Sequence, residues 1–247
     1  MKVRNLLWML AMVVLSCGML FSSAVSIRAQ EKYFLELDYA RVNLENTTNC
    51  EAYFKGIEAK FEATVYRAIR AGVDYTYGDG GTIKMFGFLY GGGTFQDCEF
   101  YAKVPMNLTS ITSAMANGGN IPQINPFYVS LLFKTNVLKT NDVSGEINWE
   151  NSSGGGLGLG FDSLAYKKLR LYGQFEWFPE MQSRSSFVPN KKKGETYFYK
   201  IWNYGLGIRA DISRNIYCNL SYKLENREYL NTVEHYSTLS IGAGLKF

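Results

Sequence analysis

The chain has 247 residues, 47% of them hydrophobic and 15% aromatic, with 24 glycines against 5 prolines and a formal net charge of +4. That composition excludes a disordered or collagen-like polymer, and one folded domain behind a leader is the simplest count. The charge is small and spread along the chain without the basic stripe of a nucleic-acid binder, which sets nucleic acid aside as a partner.

Residues 1–30 read as a secretory signal peptide and residues 31–247 as the mature domain. Lys2 and Arg4 precede an uncharged run from Leu6 to Ile27, and Arg28-Ala29-Gln30 then leads to Glu31, with cleavage expected after Ala29 or Gln30. Two alternatives are an uncleaved anchor, since the run is long enough to cross a bilayer, and lipid attachment at Cys17 in Val14-Leu15-Ser16-Cys17. Beyond the leader no uninterrupted apolar run reaches the ~18 residues of a membrane helix, so a membrane-integral mature chain has to be a closed β-barrel.

The mature chain opens on an alternating segment, with Tyr33, Leu35, Leu37 and Tyr39 on one face and Glu36 and Asp38 on the other. Residues 43–55 break the alternation and read as a loop. From Gly56 to Tyr66, Ile57, Ala59, Phe61, Ala63 and Val65 alternate with Glu58, Lys60, Glu62 and Thr64, over the length of a membrane-crossing strand. The pattern continues with Arg70 and Asp74 on the polar face. Gly78-Asp79-Gly80-Gly81 is a hairpin signal, and the alternation resumes at Ile83, Met85 and Leu89.

Residues 91–126, rich in Gly, Asn and Ser, read as a loop with a short helix over Thr109–Ala116. A strand begins at Phe127. Lys139 to Asp142 reads as a tight turn, Val143 to Trp149 as the next strand and Asn151 to Gly155 as another turn, with Leu157, Leu159 and Phe161 following. Leu169, Leu171, Phe175 and Trp177 then alternate with Arg170 and Glu176. Residues 179–196 form a polar loop carrying Lys191-Lys192-Lys193. Trp202 to Arg209 and Ile216 to Leu224 are two further strands, and residues 225–232 loop into the last one.

From Leu239 every odd residue is apolar, while Ser240, Gly242, Gly244 and Lys246 fill the even positions, and the chain ends on Phe247. Ser240, Gly242, Leu245 and Phe247 match polar-x-Gly-x-x-apolar-x-apolar, and at this point the chain resembles the small outer-membrane β-barrels of Gram-negative bacteria, whose last strand carries that assembly signal. The resemblance implies an all-β fold, a transmembrane antiparallel up-and-down β-barrel behind an N-terminal signal peptide. It also implies location in the bacterial outer membrane, and outer-membrane lipid, lipopolysaccharide and the barrel-assembly machinery as partners. The fold-level alternative is a soluble barrel or sandwich with its apolar face inward.

In that family both chain ends lie in the periplasm and the strand number is even. Taking Gly78 to Thr82 as a hairpin gives eleven strands, whereas one long kinked strand from Arg70 to Tyr90 gives ten, which is preferred over an alternative of eight. The long segments 43–55, 91–126 and 179–196 then all lie outside. Cys50 and Cys98 fall on one side and are candidates for a disulfide in an oxidising compartment. Trp149, Trp177 and Trp202 fall near the outer strand ends, where an aromatic girdle belongs.

Glu36, Asp38, Glu58, Lys60, Glu62, Arg70, Asp74, Arg170, Glu176 and Arg209 are expected to point into the lumen. There they either pair and close it or line a narrow pore. No catalytic, cofactor or metal residues are assigned. His235, the single histidine, lacks ligand-spaced partners. His235-Tyr236-Ser237 resembles the His-x-Ser of outer-membrane lipid A deacylases, but no acid follows it, and its parity aims both residues at lipid. The expected function is a non-enzymatic outer-membrane barrel with a narrow or closed lumen, serving envelope structure or limited small-solute passage. The alternatives are a lipid or peptide hydrolase, and an adhesin or secretion-machinery subunit acting through 91–126 and 179–196.

Overall fold

The computed structural model describes residues 33–46, 50–66, 69–80, 83–85, 88–106, 127–141, 147–166, 168–186, 196–229 and 232–247. The expected leader, the Thr109–Ala116 helix and Lys191 to Lys193 lie outside these residues.

Eleven strands form one antiparallel sheet: β1 (Tyr33–Asn46), β2 (Cys50–Tyr66), β3 (Ile69–Asp79), β4 (Ile83–Met85), β5 (Phe88–Pro105), β6 (Phe127–Asn141), β7 (Ile147–Tyr166), β8 (Leu169–Ser185), β9 (Thr196–Asp211), β10 (Ile216–Tyr229) and β11 (Thr232–Lys246). Ten of them pair in sequence around a closed wall, and β1 completes it by pairing with both β2 and β11. The short β4 is the exception, a segment laid between β5 and one residue of β2 beyond the end of β3. The Tyr33 amide donates to the Phe247 carbonyl at 2.7 Å, so both ends of the barrel chain meet at one rim, called here the terminal end; the opposite rim is the far end.

The side chains sort by parity, as strand geometry demands. On β1, Leu35, Leu37 and Tyr39 are exposed, while Glu36 and Asp38 are each 2% exposed. The same division runs round the wall, with Leu131, Leu206 and Ile241 at least 60% exposed on its outside. Glycine makes room inside: a side chain at Gly160 would collide with the ring of Tyr128, and one at Gly158 with Ser130.

The total of ten agrees with expectation, but its members do not all match: the long kinked strand expected from Arg70 to Tyr90 ends at Asp79, and the chain turns back there through β4 into β5, antiparallel to β3. Phe88–Pro105 is a full strand, although its glycines and mixed polarity read as loop, and it supplies the wall between β3 and β6. Conversely, Ile147–Tyr166 is continuous across Asn151 to Gly155, which therefore do not turn. The glycines there mark a register shift against β8, between Ser153 and Leu157. One strand missed and one divided cancel in the count.

The strands are also longer than their apolar faces. β1 and β2 run on to Asn46 and Cys50, so 43–55 is mostly strand, and β8 passes Pro179 at a bulge between Phe178 and Met181 before reaching Ser185. A bulge tolerates the amide that proline lacks. Two loop assignments change accordingly. Only 187–195 remains of the loop 179–196. Of 91–126, residues 91–105 are strand, and the connection after them leaves from the terminal end, where the Met106 amide donates to the Phe127 carbonyl at 2.9 Å.

Cys98 is free. Through Tyr75 it lies in the same row as Ala59, whereas Cys50 is nine residues further along β2. At ~3.3 Å per residue that is roughly 30 Å, and a disulfide needs Cα atoms within about 7 Å.

Candidate functional site: the interior of the barrel

The bore is filled in two zones. Toward the terminal end and the middle, the inward faces carry acids and bases that find each other across strands. Lys60 contacts Glu58 at 2.9 Å, Glu36 at 3.3 Å and Asp74 at 3.9 Å. Glu62 receives Arg70 and Lys103, both at 2.9 Å. Glu36 accepts from Arg209, Tyr217 and Asn219, and Asn219 also donates to Asp38 at 2.7 Å. The Ser240 hydroxyl reaches Glu58, joining β11 to β2.

Three residues absent from the sequence reading span the bore. Lys134 of β6, fully buried, contacts Asp97 at 2.6 Å and Glu225 of β10 at 2.8 Å. Lys223 of β10 lies 3.5 Å from Glu99 of β5 and 3.6 Å from Glu176 of β8. Arg227 of β10 holds Glu225 at 2.7 Å and Glu150 of β7 at 3.8 Å, with its guanidinium 3.9 Å from the Tyr236 ring centroid. The parity of β6 alone assigns Lys134 to the interior. Glu99 and Asp97 were hidden with the unread β5, and Arg227 with the unread end of β10.

Toward the far end apolar and aromatic clusters join the buried polar groups. Val42, Leu44, Ala52, Phe54, Phe95, Leu138 and Tyr236 form one buried cluster. Leu132, Phe178, Met181, Tyr199 and Ile201 form a second, with Tyr101, Tyr197 and Tyr229 packed against it. Two cavities lie inside, about 80 Å³ in the charged zone, between Phe34 and Ser240, and about 20 Å³ between that zone and Phe95, and a more open one of about 330 Å³ lies between Asn136, Ser152 and Arg184. The cavity in the charged zone is large enough for several ordered waters beside the buried charges.

All ten charged residues expected in the lumen except Arg170 enter this description. Arg170 is half-buried on β8, opposite Arg209. Of the proposed assembly-signal residues, Ser240 is buried inside and Gly242 abuts Asp38, while Leu245 and Phe247 are exposed outside and Phe247 stacks on Tyr33 at 5.9 Å. His235 is exposed on the outer wall with Asn226 at 2.6 Å, and Ser237 shares its face. No group of three His, Cys, Asp or Glu side chains among the described residues is arranged to hold a metal ion.

On the outside, Trp177 stacks on Trp202 at 5.5 Å in the middle of β8 and β9, at the upper edge of the exposed apolar band rather than at the strand ends. Lipid-facing apolar residues around a charged, side-chain-filled interior, in a closed wall that satisfies its own backbone, define a transmembrane β-barrel. No family model and no curated protein sequence matches the chain. Among solved structures it is similar to the outer membrane protease OmpT from Escherichia coli, at 10% identity and a TM-score of 0.50 over 91% of this chain and 100% of that one. It is also similar to Ail, the attachment invasion locus protein of Yersinia pestis (12%, 0.37, over 89% and 100%), and to Neisserial surface protein A (10%, 0.38, over 87% and 97%). At these identities the likeness is one of fold.

Proposed function

We propose that this is an integral outer-membrane protein of a Gram-negative bacterium, exported by the leader 1–30 and inserted through its C-terminal strand by the barrel-assembly machinery. In this reading the terminal end faces the periplasm, and the far end stands in the lipopolysaccharide layer and beyond. Its bore neither conducts nor catalyses, and its role is envelope-structural, presenting a polar wall and loops at the cell surface.

The observation that carries the sealed bore is the contact of Lys223 with Glu99, because β10 and β5 lie half the circumference apart. A bore bridged by side chains at full width has no room for a hydrated ion. A hydrolase reading finds no support in the single histidine, which is exposed on the outer wall away from the interior acids. Reconstitution into planar bilayers tests the proposal. Electrical silence is expected, and steady unitary currents would overturn it.

A further inference from the structure

The outward faces of β1 and β2 change from apolar to charged at one row. Tyr39 is followed on that face by Arg41, Ile57 is preceded by Lys55, and the register sets Arg41 directly opposite Lys55. Both are exposed. Directly opposed residues on one face hold their Cβ atoms about 4.5–5.5 Å apart, and like charges placed there destabilise the pair. Neither makes an ion pair among the described residues, although every inward lysine described does. Asp79 lies opposite Lys55 on β3, but outside ion-pair distance. Elsewhere above the band no two outward cations among the described residues stand opposite each other: Lys200 faces Glu228, Arg184 faces Thr196, and Lys139 lies between Thr94 and Trp149.

The arginine is also held in place. Its Nε donates to Asn43 Oδ1 at 3.2 Å, its Cζ lies 5.6 Å from the Tyr53 ring centroid, and Asn43 in turn donates to Ser237 at 3.5 Å. One edge of the guanidinium is thereby fixed, and Lys55 stands opposite it in register. Two cations at the upper edge of an apolar band stand where the phosphates of a bilayer lie, and an oxyanion received between them removes their repulsion.

We infer that Arg41 and Lys55 form a docking site for the phosphate of an outer-leaflet lipid headgroup, with Asn43 and Tyr53 as positioning residues. The inference rests on the outer-membrane reading and deepens it. The probe is lipid A carrying its phosphates, compared with the dephosphorylated lipid and with inorganic phosphate, each added to the full-length mature protein in neutral detergent. Phosphorylated lipid A should raise the temperature at which folded and heat-denatured forms interconvert on gels. An Arg41→Gln/Lys55→Met variant should bind it roughly tenfold or more weakly, since each surface cation contributes about a kcal/mol toward anionic lipid. An Arg41→Lys/Lys55→Arg variant should retain binding. An equal shift in the charge-neutral variant, or an equal shift with dephosphorylated lipid or inorganic phosphate, would overturn the site. Fractionation of the native protein away from the outer membrane would instead remove the reading beneath it, and leave the binding measurement to stand or fall separately.

Discussion

Lys223 and Glu99 meet at 3.5 Å across the full width of the barrel, and their burial makes that contact a strut rather than a surface ion pair. Removing one partner leaves uncompensated charge in a space water barely enters, which typically costs about 3–5 kcal/mol. Lys223→Ala should therefore lower stability by that order, because Glu176 loses its ion pair and Glu99 keeps only the longer one to Lys134 at 3.9 Å. Replacing Lys223 and Glu99 together by methionine and leucine should cost much less. Urea titrations of the folded form read by gel migration separate the two outcomes, and equal losses would show that the pair is not the strut.

The apolar zone makes a different prediction. Phe54 and Phe95 pack at 5.9 Å between ring centroids inside the far-end cluster, and Phe95 stacks on Tyr236 at 6.2 Å. Truncating a buried phenylalanine to alanine costs about 3–5 kcal/mol. In this barrel it should also open space directly above the smaller cavity, which Phe95 and Tyr236 line. With the Lys223–Glu99 contact intact, Phe54→Ala/Phe95→Ala protein should stay as silent in planar bilayers as the wild type while losing stability. Steady current through a correctly folded variant would place the seal in the apolar zone instead.

The sequence conveyed the fold more faithfully than it conveyed the strand boundaries. Where alternation was strict, as at Leu35 to Tyr39, Ile57 to Val65 and Leu239 to Phe247, the division of side chains between two faces follows directly, while the side that meets lipid does not. The alternation fades wherever a strand leaves the apolar band, because a polar exterior then meets a mixed interior. Val42 and Leu44 point inward while Arg41 and Asn43 point outward, so the pattern inverts at the band edge and the end of β1 looks like loop. β5 was unreadable because its outward face carries Gln96 and Cys98 and its inward face Phe95 and Tyr101, with no clean segregation of polarity. The bridging lysines were legible only once the partner strand was known, since what makes Lys134 functional is Glu225, ninety-one residues away in the chain.

Glu234 predicts a pH dependence confined to the far end. It lies five residues beyond the apolar run of β11, accepts from Tyr229 and Tyr236 at 3.3 Å, and has a carboxyl raised to about 7 by burial and then by repulsion from Glu150, against the pull of Arg227. A carboxyl that holds its proton more tightly folded than unfolded favours the fold most below the ordinary glutamate range. That advantage is lost as pH climbs through the folded value. Wild-type protein should lose melting temperature between about pH 4.5 and 7.5 relative to Glu234→Gln, whose own profile should be flatter. Parallel profiles would exclude Glu234 as the titrating group.

The topology makes the most direct prediction about orientation. With both chain ends at the terminal end and the wall running β5 down and β6 up, the connection 107–126 must leave from that same rim, while 187–195 leaves from the far one. If the terminal end is periplasmic, an epitope inserted at 187–195 should be bound by antibody on intact cells. The same epitope within 107–126 should be bound only after the outer membrane is permeabilised. The result is informative because 107–126 is long for a periplasmic turn in this class, where the long connections ordinarily face outward. Surface labelling at 107–126 with none at 187–195 would invert the barrel in the membrane. It would also move Arg41 and Lys55 from the outer to the inner leaflet.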